Sequence, residues 1–65
     1  MNDNTIWILM SNSKFGTTVV GVYKDKNKML DYMKWWKEKL GAEQNGNVWK
    51  HEDETRWCFS QNLIE

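Results

Sequence analysis

Cysteine, histidine and glycine are scarce in this chain of 65 residues, and proline is absent. Most of these shortages close a route to function or stability. Cys58 is the single cysteine, which rules out an intramolecular disulfide and argues against a secreted, bridge-stapled scaffold. No cysteine–histidine cluster exists to hold zinc. The four glycines, Gly16, Gly21, Gly41 and Gly46, are scattered, so there is no glycine-rich phosphate loop. No Ser/His/Asp set stands in a recognisable order. The longest apolar stretch, Ile6 to Met10, is too short for a signal peptide or a membrane span. The residues before it, Met1-Asn2-Asp3-Asn4-Thr5, carry no positive charge. A soluble cytoplasmic protein without membrane association is the expectation.

Net charge is also lacking. Nine basic and nine acidic residues cancel, so no global field draws the chain to nucleic acid or membrane. The charges are sorted all the same. Lys14 to Lys39 holds seven lysines against Asp25, Asp31 and Glu38, whereas Leu40 onward holds five acids against Lys50 and Arg56.

What the chain does have is tryptophan: Trp7, Trp35, Trp36, Trp49 and Trp57. Each indole brings roughly 200 Å² of surface to bury. A domain of this size buries only about 60% of its unfolded surface and is marginal as a monomer. One thin core does not easily hide so much aromatic surface. Some of it is expected to meet another copy of the chain, a partner or a ligand.

The pattern along residues 1–65 reads as one small α+β domain. Thr5 to Met10 is β-branched and aromatic, too short for a helix, and reads as a strand. Ser11 to Gly16 reads as a turn, and Thr17 to Tyr23 as a second strand forming an antiparallel hairpin with the first. Gly21 within that strand suggests a bulge or an aromatic packed over the backbone. Asp25 can cap a helix running to about Leu40, with Met29, Met33, Trp36 and Leu40 on one face. Tyr32 and Trp35 lie on its shoulder, and Gly41 is a natural stop. Asn45-Gly46-Asn47 is the next turn. Val48 to His51 and Arg56 to Ser60 alternate as strands, with Glu52-Asp53-Glu54 as an acidic hairpin tip.

The expected architecture is therefore ββαββ: a four-stranded antiparallel sheet with one helix on one face. Strict alternation sets Ile6, Ile8 and Met10 against Trp7 and Leu9, and Val20 and Val22 against Val19 and Tyr23. Both faces of this hairpin are apolar, and one helix covers only one of them. The other face is expected to form a homodimer or a partner site, with an exposed edge strand as a second route to pairing.

The run Ile6-Trp7-Ile8-Leu9, then Val19-Val20-Gly21-Val22-Tyr23, then a capped helix with an aromatic at Tyr32, resembles a known type of small protein. It is similar, over residues 6–40, to short ββαββ proteins of phage and mobile-element genomes. The resemblance implies the fold and a genomic context, with the host cytoplasm as the place of action, and supplies no catalytic residues. The second half, with Trp49 and Trp57, has no counterpart in that resemblance.

Individual residues divide into chemical and structural readings. His51 beside Glu52 and Asp53 offers a base or a metal ligand, but it lacks a nucleophile and an orienting partner, which favours an ordinary surface role. Cys58, set across the last hairpin from His51, reads better as a small packed hydrophobe between Trp57 and Phe59 than as a nucleophile. Glu52, Asp53 and Glu54, with Asp3, can imitate phosphates or simply solvate a turn; calcium needs more oxygens at set spacing. Lys34-Trp35-Trp36-Lys37 mixes aromatics and cations as stacking platforms for single strands do, though on a helix.

The expectation is a small non-catalytic protein-binding module, without cofactor or metal, dimeric and acting by occupying a partner's surface. An accessory phage protein that binds and blocks a host or defence protein fits this description. Its contact candidates are Trp7, Tyr23, Trp35, Glu52, Asp53 and Glu54. The alternative is a nucleotide or single-stranded nucleic-acid module that stacks bases on Trp or Tyr and meets phosphate with Lys.

Overall fold

A computed structural model describes residues 4–63. The chain forms β1 (Thr5–Ser13), β2 (Gly16–Tyr23), α1 (Lys26–Leu40), β3 (Glu43–Asn45), β4 (Val48–His51) and β5 (Glu54–Asn62). All strand pairs are antiparallel, in the spatial order β2-β1-β5-β4-β3. The α+β class is as expected, but the sheet has five strands rather than four. The additional strand, β3, is Glu43-Gln44-Asn45, a polar and fully exposed edge without the apolar alternation that marks a strand in sequence. Gly46, at φ 64°, turns it back onto β4.

The helix starts where Asp25 Oδ1 accepts a hydrogen bond from Asn27 N at 2.9 Å. It stops at Gly41, whose φ of 71° is left-handed and suits glycine. The N–H groups of Gly41 and Ala42 then donate to Lys37 O at 2.8 and 3.0 Å. That closure sends the chain inward, and Ala42 is buried. Leu40, expected on the buried stripe, is instead 40% exposed, because the helix ends there and Ala42 enters the core after it. Met29, Met33 and Trp36 are buried as their spacing requires.

The core unites these three with Leu9, Ala42, Trp49 and Cys58. Trp7, Val20, Tyr23, Leu30 and Tyr32 pack around it. All of it lies between the helix and one face of the sheet. A single layer of side chains thus serves the whole domain, whose dimensions are 39 × 23 × 16 Å.

The register contains one irregularity. Leu9 faces Gly21, but Met10 faces Val19, so Val20 is an extra residue in β2. This bulge reverses the alternation. Val19 and Val22 share the outer face, while Val20 packs against the core. Strict alternation had grouped Val20 with Val22. Beside the bulge, the Tyr23 ring folds back over Gly21, where an added Cβ would stand 3.0 Å from Tyr23 Cε1. Both expected reasons for the glycine therefore operate together.

Candidate interaction surface

Cross-strand partners project from the same face of a sheet, so the register defines the face away from the helix. One row runs Val22–Ile8–Phe59 across β2, β1 and β5. The next runs Val19–Met10–Trp57–Val48 across β2, β1, β5 and β4. Ile6, opposite Gln61, lies beyond the first row. Thr17, Asn12, Thr55, Lys50 and Glu43 form a polar row beyond the second. Asn12 Oδ1 accepts from Thr17 Oγ1 at 2.7 Å within it.

These rows form an apolar patch across four strands with polar residues at its edge. Such a distribution is typical of protein interfaces. Val22 and Val19 are 59% and 56% exposed, and Phe59 and Val48 are each 41% exposed. Ile8, Met10 and Trp57 are half-buried by their neighbours on the central strands. Among the described residues, the face carries two charges, Glu43 and Lys50, of opposite sign and opposite one another on β3 and β4.

The sequence-derived contact candidates lie elsewhere, and the fold does not gather them into one surface. Trp7 and Tyr23 are paired in register and half-buried against the core on the helix side. Lys26 Nζ sits 4.6 Å above the Trp7 ring. Trp35 is 55% exposed on the helix and stacks on Tyr32 at 6.1 Å.

The acidic tip is split. Glu52 and Asp53 are exposed at the turn between β4 and β5. Glu54 turns inward and accepts hydrogen bonds from Ser11 Oγ and Arg56 Nε, each at 2.7 Å. Burial alone would raise the pKa of its carboxyl. The bonds from Ser11 and Arg56 and the guanidinium charge outweigh burial and hold it below the usual value. Arg56 in turn donates to Tyr32 OH at 3.1 Å and lies 4.3 Å from the Trp36 ring centroid. Burial disfavours its charge, but the Tyr32 and Glu54 bonds and the Glu54 charge outweigh that penalty and push its pKa above the usual value. This cluster fastens the helix to β5, so Glu54 works as a structural residue. Asp3 lies outside the described residues.

His51 and Cys58 do not face one another. His51 pairs with Glu54, while Cys58 pairs with Leu9 on β1 and donates its N–H to Asn47 O at 3.3 Å. Burial raises the Cys58 thiol pKa despite the opposing charge of Lys26, so little reactive thiolate forms. Among the described residues, no three His, Cys, Asp or Glu side chains come together as a metal-binding group. An open groove of about 400 Å³ runs between the helix and β3–β4, lined by Leu30, Lys34, Lys37 and Trp49 among others. Lys37 Nζ donates to Gln44 Oε1 across it at 3.1 Å. Among the described residues, no helix is long and apolar enough to cross a membrane.

Sequence reasoning found the uncovered face but did not nominate its residues as contacts. Trp57 and Phe59 were legible as a pair of one parity flanking Cys58. Val19 and Val22 were obscured by the bulge, which no simple periodicity reveals. Comparison with protein-family models, curated proteins and solved structures returned no match.

Proposed function

We propose that this chain is a small non-catalytic protein-binding module that docks protein on the outer face of its sheet. The supporting observation is the pair of apolar rows Val22–Ile8–Phe59 and Val19–Met10–Trp57–Val48, left open on a face with two mutually cancelling charges. Water meets these rows on one side only because the single helix occupies the other. Contiguous exposed apolar patches with polar rims mark interaction sites. Phe59 and Trp57 are the anchors of this one, as aromatics at the centre of a patch dominate interface energetics. Trp35 on the helix and Glu52–Asp53 at the turn are further contacts for a protein that reaches around the edge. In this reading the chain acts by occupying surface, as an accessory protein of a phage or mobile element would when it blocks a host protein in the host cytoplasm.

A photo-crosslinking amino acid placed at Phe59, and separately at Lys28 on the helix, tests the docking face in the expressing cell. The expected result is a discrete protein adduct from position 59 that position 28 does not form. Absence of any adduct at 59 would remove the outer face as a docking surface.

The second reading is a base-stacking nucleic-acid module. It is favoured by one observation, the exposed Trp35 stacked on Tyr32 beside Lys34 and Lys39. It requires binding to single-stranded oligonucleotide that weakens steeply with salt and is lost in Trp35→Ala. Binding that ignores salt would exclude it.

A further inference from the structure

We infer that the occupant of the outer sheet face is a second copy of this chain, packed sheet to sheet about a two-fold axis. The inference rests on the reading of that face as a protein-docking surface and adds the identity of the partner.

Charge is the first argument. In a two-fold interface each patch meets an identical patch, so any net charge on it becomes like-charge repulsion. This patch sums to zero, with Glu43 and Lys50 opposite one another at one corner and uncharged residues elsewhere among those described. The other described charges belong to the helix, its flanks, the turns and the inner face. Lys14, Lys24, Lys26, Lys28, Lys34 and Lys39 are exposed and stand outside the paired rows that make the patch. The chain as a whole carries charge on 28% of its residues, so a broad face with one cancelling pair is a marked segregation. It suits self-contact and would offer little to a strongly charged foreign surface.

Shape is the second. A sheet face is covered well by another sheet of the same right-handed twist, because the two then pack aligned, about 30° apart in strand direction and roughly 10 Å apart. An identical copy has that twist by construction. The bulky side chains, Ile8, Met10, Trp57 and Phe59, stand on the central strands, with valines toward the edges. Two such faces at a small crossing angle bring their thick centres together and their short edges together.

Area is the third. A standard interface buries about 800 Å² per partner, which is close to a sixth of the 4890 Å² accessible surface. The two longer dimensions of the molecule, 39 and 23 Å, span an area of that order. Packing of this kind converts the single-layered domain into an α/β/β/α sandwich with a second apolar layer. In that sandwich both helices, both Trp35 side chains and both acidic turns point outward. Any further protein partner would then meet two equivalent sites.

Sedimentation velocity of the full chain across a micromolar concentration series, with circular dichroism, tests the inference. The wild type is expected at twice the chain mass of 7.8 kDa. Val22→Glu puts a charge in the patch on an exposed edge-strand position. It is expected to retain the native circular dichroism spectrum and to weaken the dimer about a hundredfold or more, since an interfacial charge without a partner is costly to bury. Lys28→Glu, on the helix, is expected to leave the dimer unchanged. A dimer that tolerates Val22→Glu would overturn the inference. If Val22→Glu loses its fold, the adduct at Phe59 decides. A mass of two chains supports the second copy, and any other mass overturns it. A monomeric wild type with a foreign adduct at Phe59 overturns the self-association and leaves the docking reading standing. A monomeric wild type with no adduct overturns both.

Discussion

The two faces of the sheet are built from similar residues and live in different conditions. On the inner face Leu9 and Trp49 are almost completely buried, and polar atoms there are satisfied through Ser11, Glu54, Arg56 and Tyr32. On the outer face Val22, Val19, Phe59 and Val48 are equally apolar, yet 41–59% of each is exposed. The difference is one helix. Apolar composition alone does not distinguish a core from an interface; what distinguishes them is whether this chain has an element left to cover the surface. Here the inner face consumes the one helix among the described residues. Its polar groups are also tied into a network, whereas the outer face has a polar row only at its edge. The inner face therefore builds the core, and the outer face is left to water.

This contrast can be broken most severely at Trp49. Trp49→Ala should cost about 3–5 kcal/mol, enough to unfold a domain of this size, and thermal melting followed by circular dichroism will show it. Trp35→Ala, on the exposed flank of the helix, should move the melting midpoint little. If the two substitutions proved equally damaging, the assignment of Trp35 to the surface would fail.

A smaller effect comes from the inner polar network. The folded pKa of Glu54 is lowered, so its contribution is present above the ordinary carboxylate value and is lost as pH falls through the folded value. Melting midpoints should therefore decline on acidification below about pH 4.5. Glu54→Gln should be less stable than wild type near neutrality, and the gap should narrow as the pH falls. A gap that stayed constant with pH would mean that Glu54 contributes through its shape and not its charge.

The smallest effect is expected at the turn between β4 and β5. Glu52 adopts φ 55°, a left-handed conformation that favours Asn or Gly over Glu. Glu52→Asn should stabilise the domain by about 0.5 kcal/mol, readable as a small rise in the melting midpoint. A fall would show that the Glu52 side chain makes a contribution that outweighs the backbone strain.

Much of the inner half could be read in the sequence, because local rules decide it. Asp25 and Gly41 bracket the helix through caps that depend only on near neighbours. Met29, Met33 and Trp36 follow from helical spacing. The parts that escaped depend on distant partners. Glu43-Gln44-Asn45 becomes a strand only because Gly46 turns it against β4. The bulge at Val20 exists in the pairing of β1 with β2 and has no signature in β2 alone except Gly21, which carries two meanings. Trp49 enters the core because the β4–β5 hairpin, itself legible, docks through β5 on β1, a pairing that no local pattern announces. The outer face was legible as a surplus of apolar surface. Which side chains compose it depends on the register, and the contact candidates Trp7 and Tyr23, chosen by residue type, lie on the opposite, helix side of the sheet.

The position of β5 also has a consequence for how the molecule comes into being. It lies between β1, near the start of the described chain, and β4, made just before it, and among the described residues it joins the β1–β2 hairpin to the β3–β4 hairpin. As the chain is synthesised, β1–β2 and the helix emerge first and can pack on one another, but the edge of β1 that β5 fills stays unpaired. The sheet becomes continuous only when the last described strand arrives. A fragment stopped before Glu54 would leave the β1–β2 and β3–β4 hairpins without the strand that pairs with both.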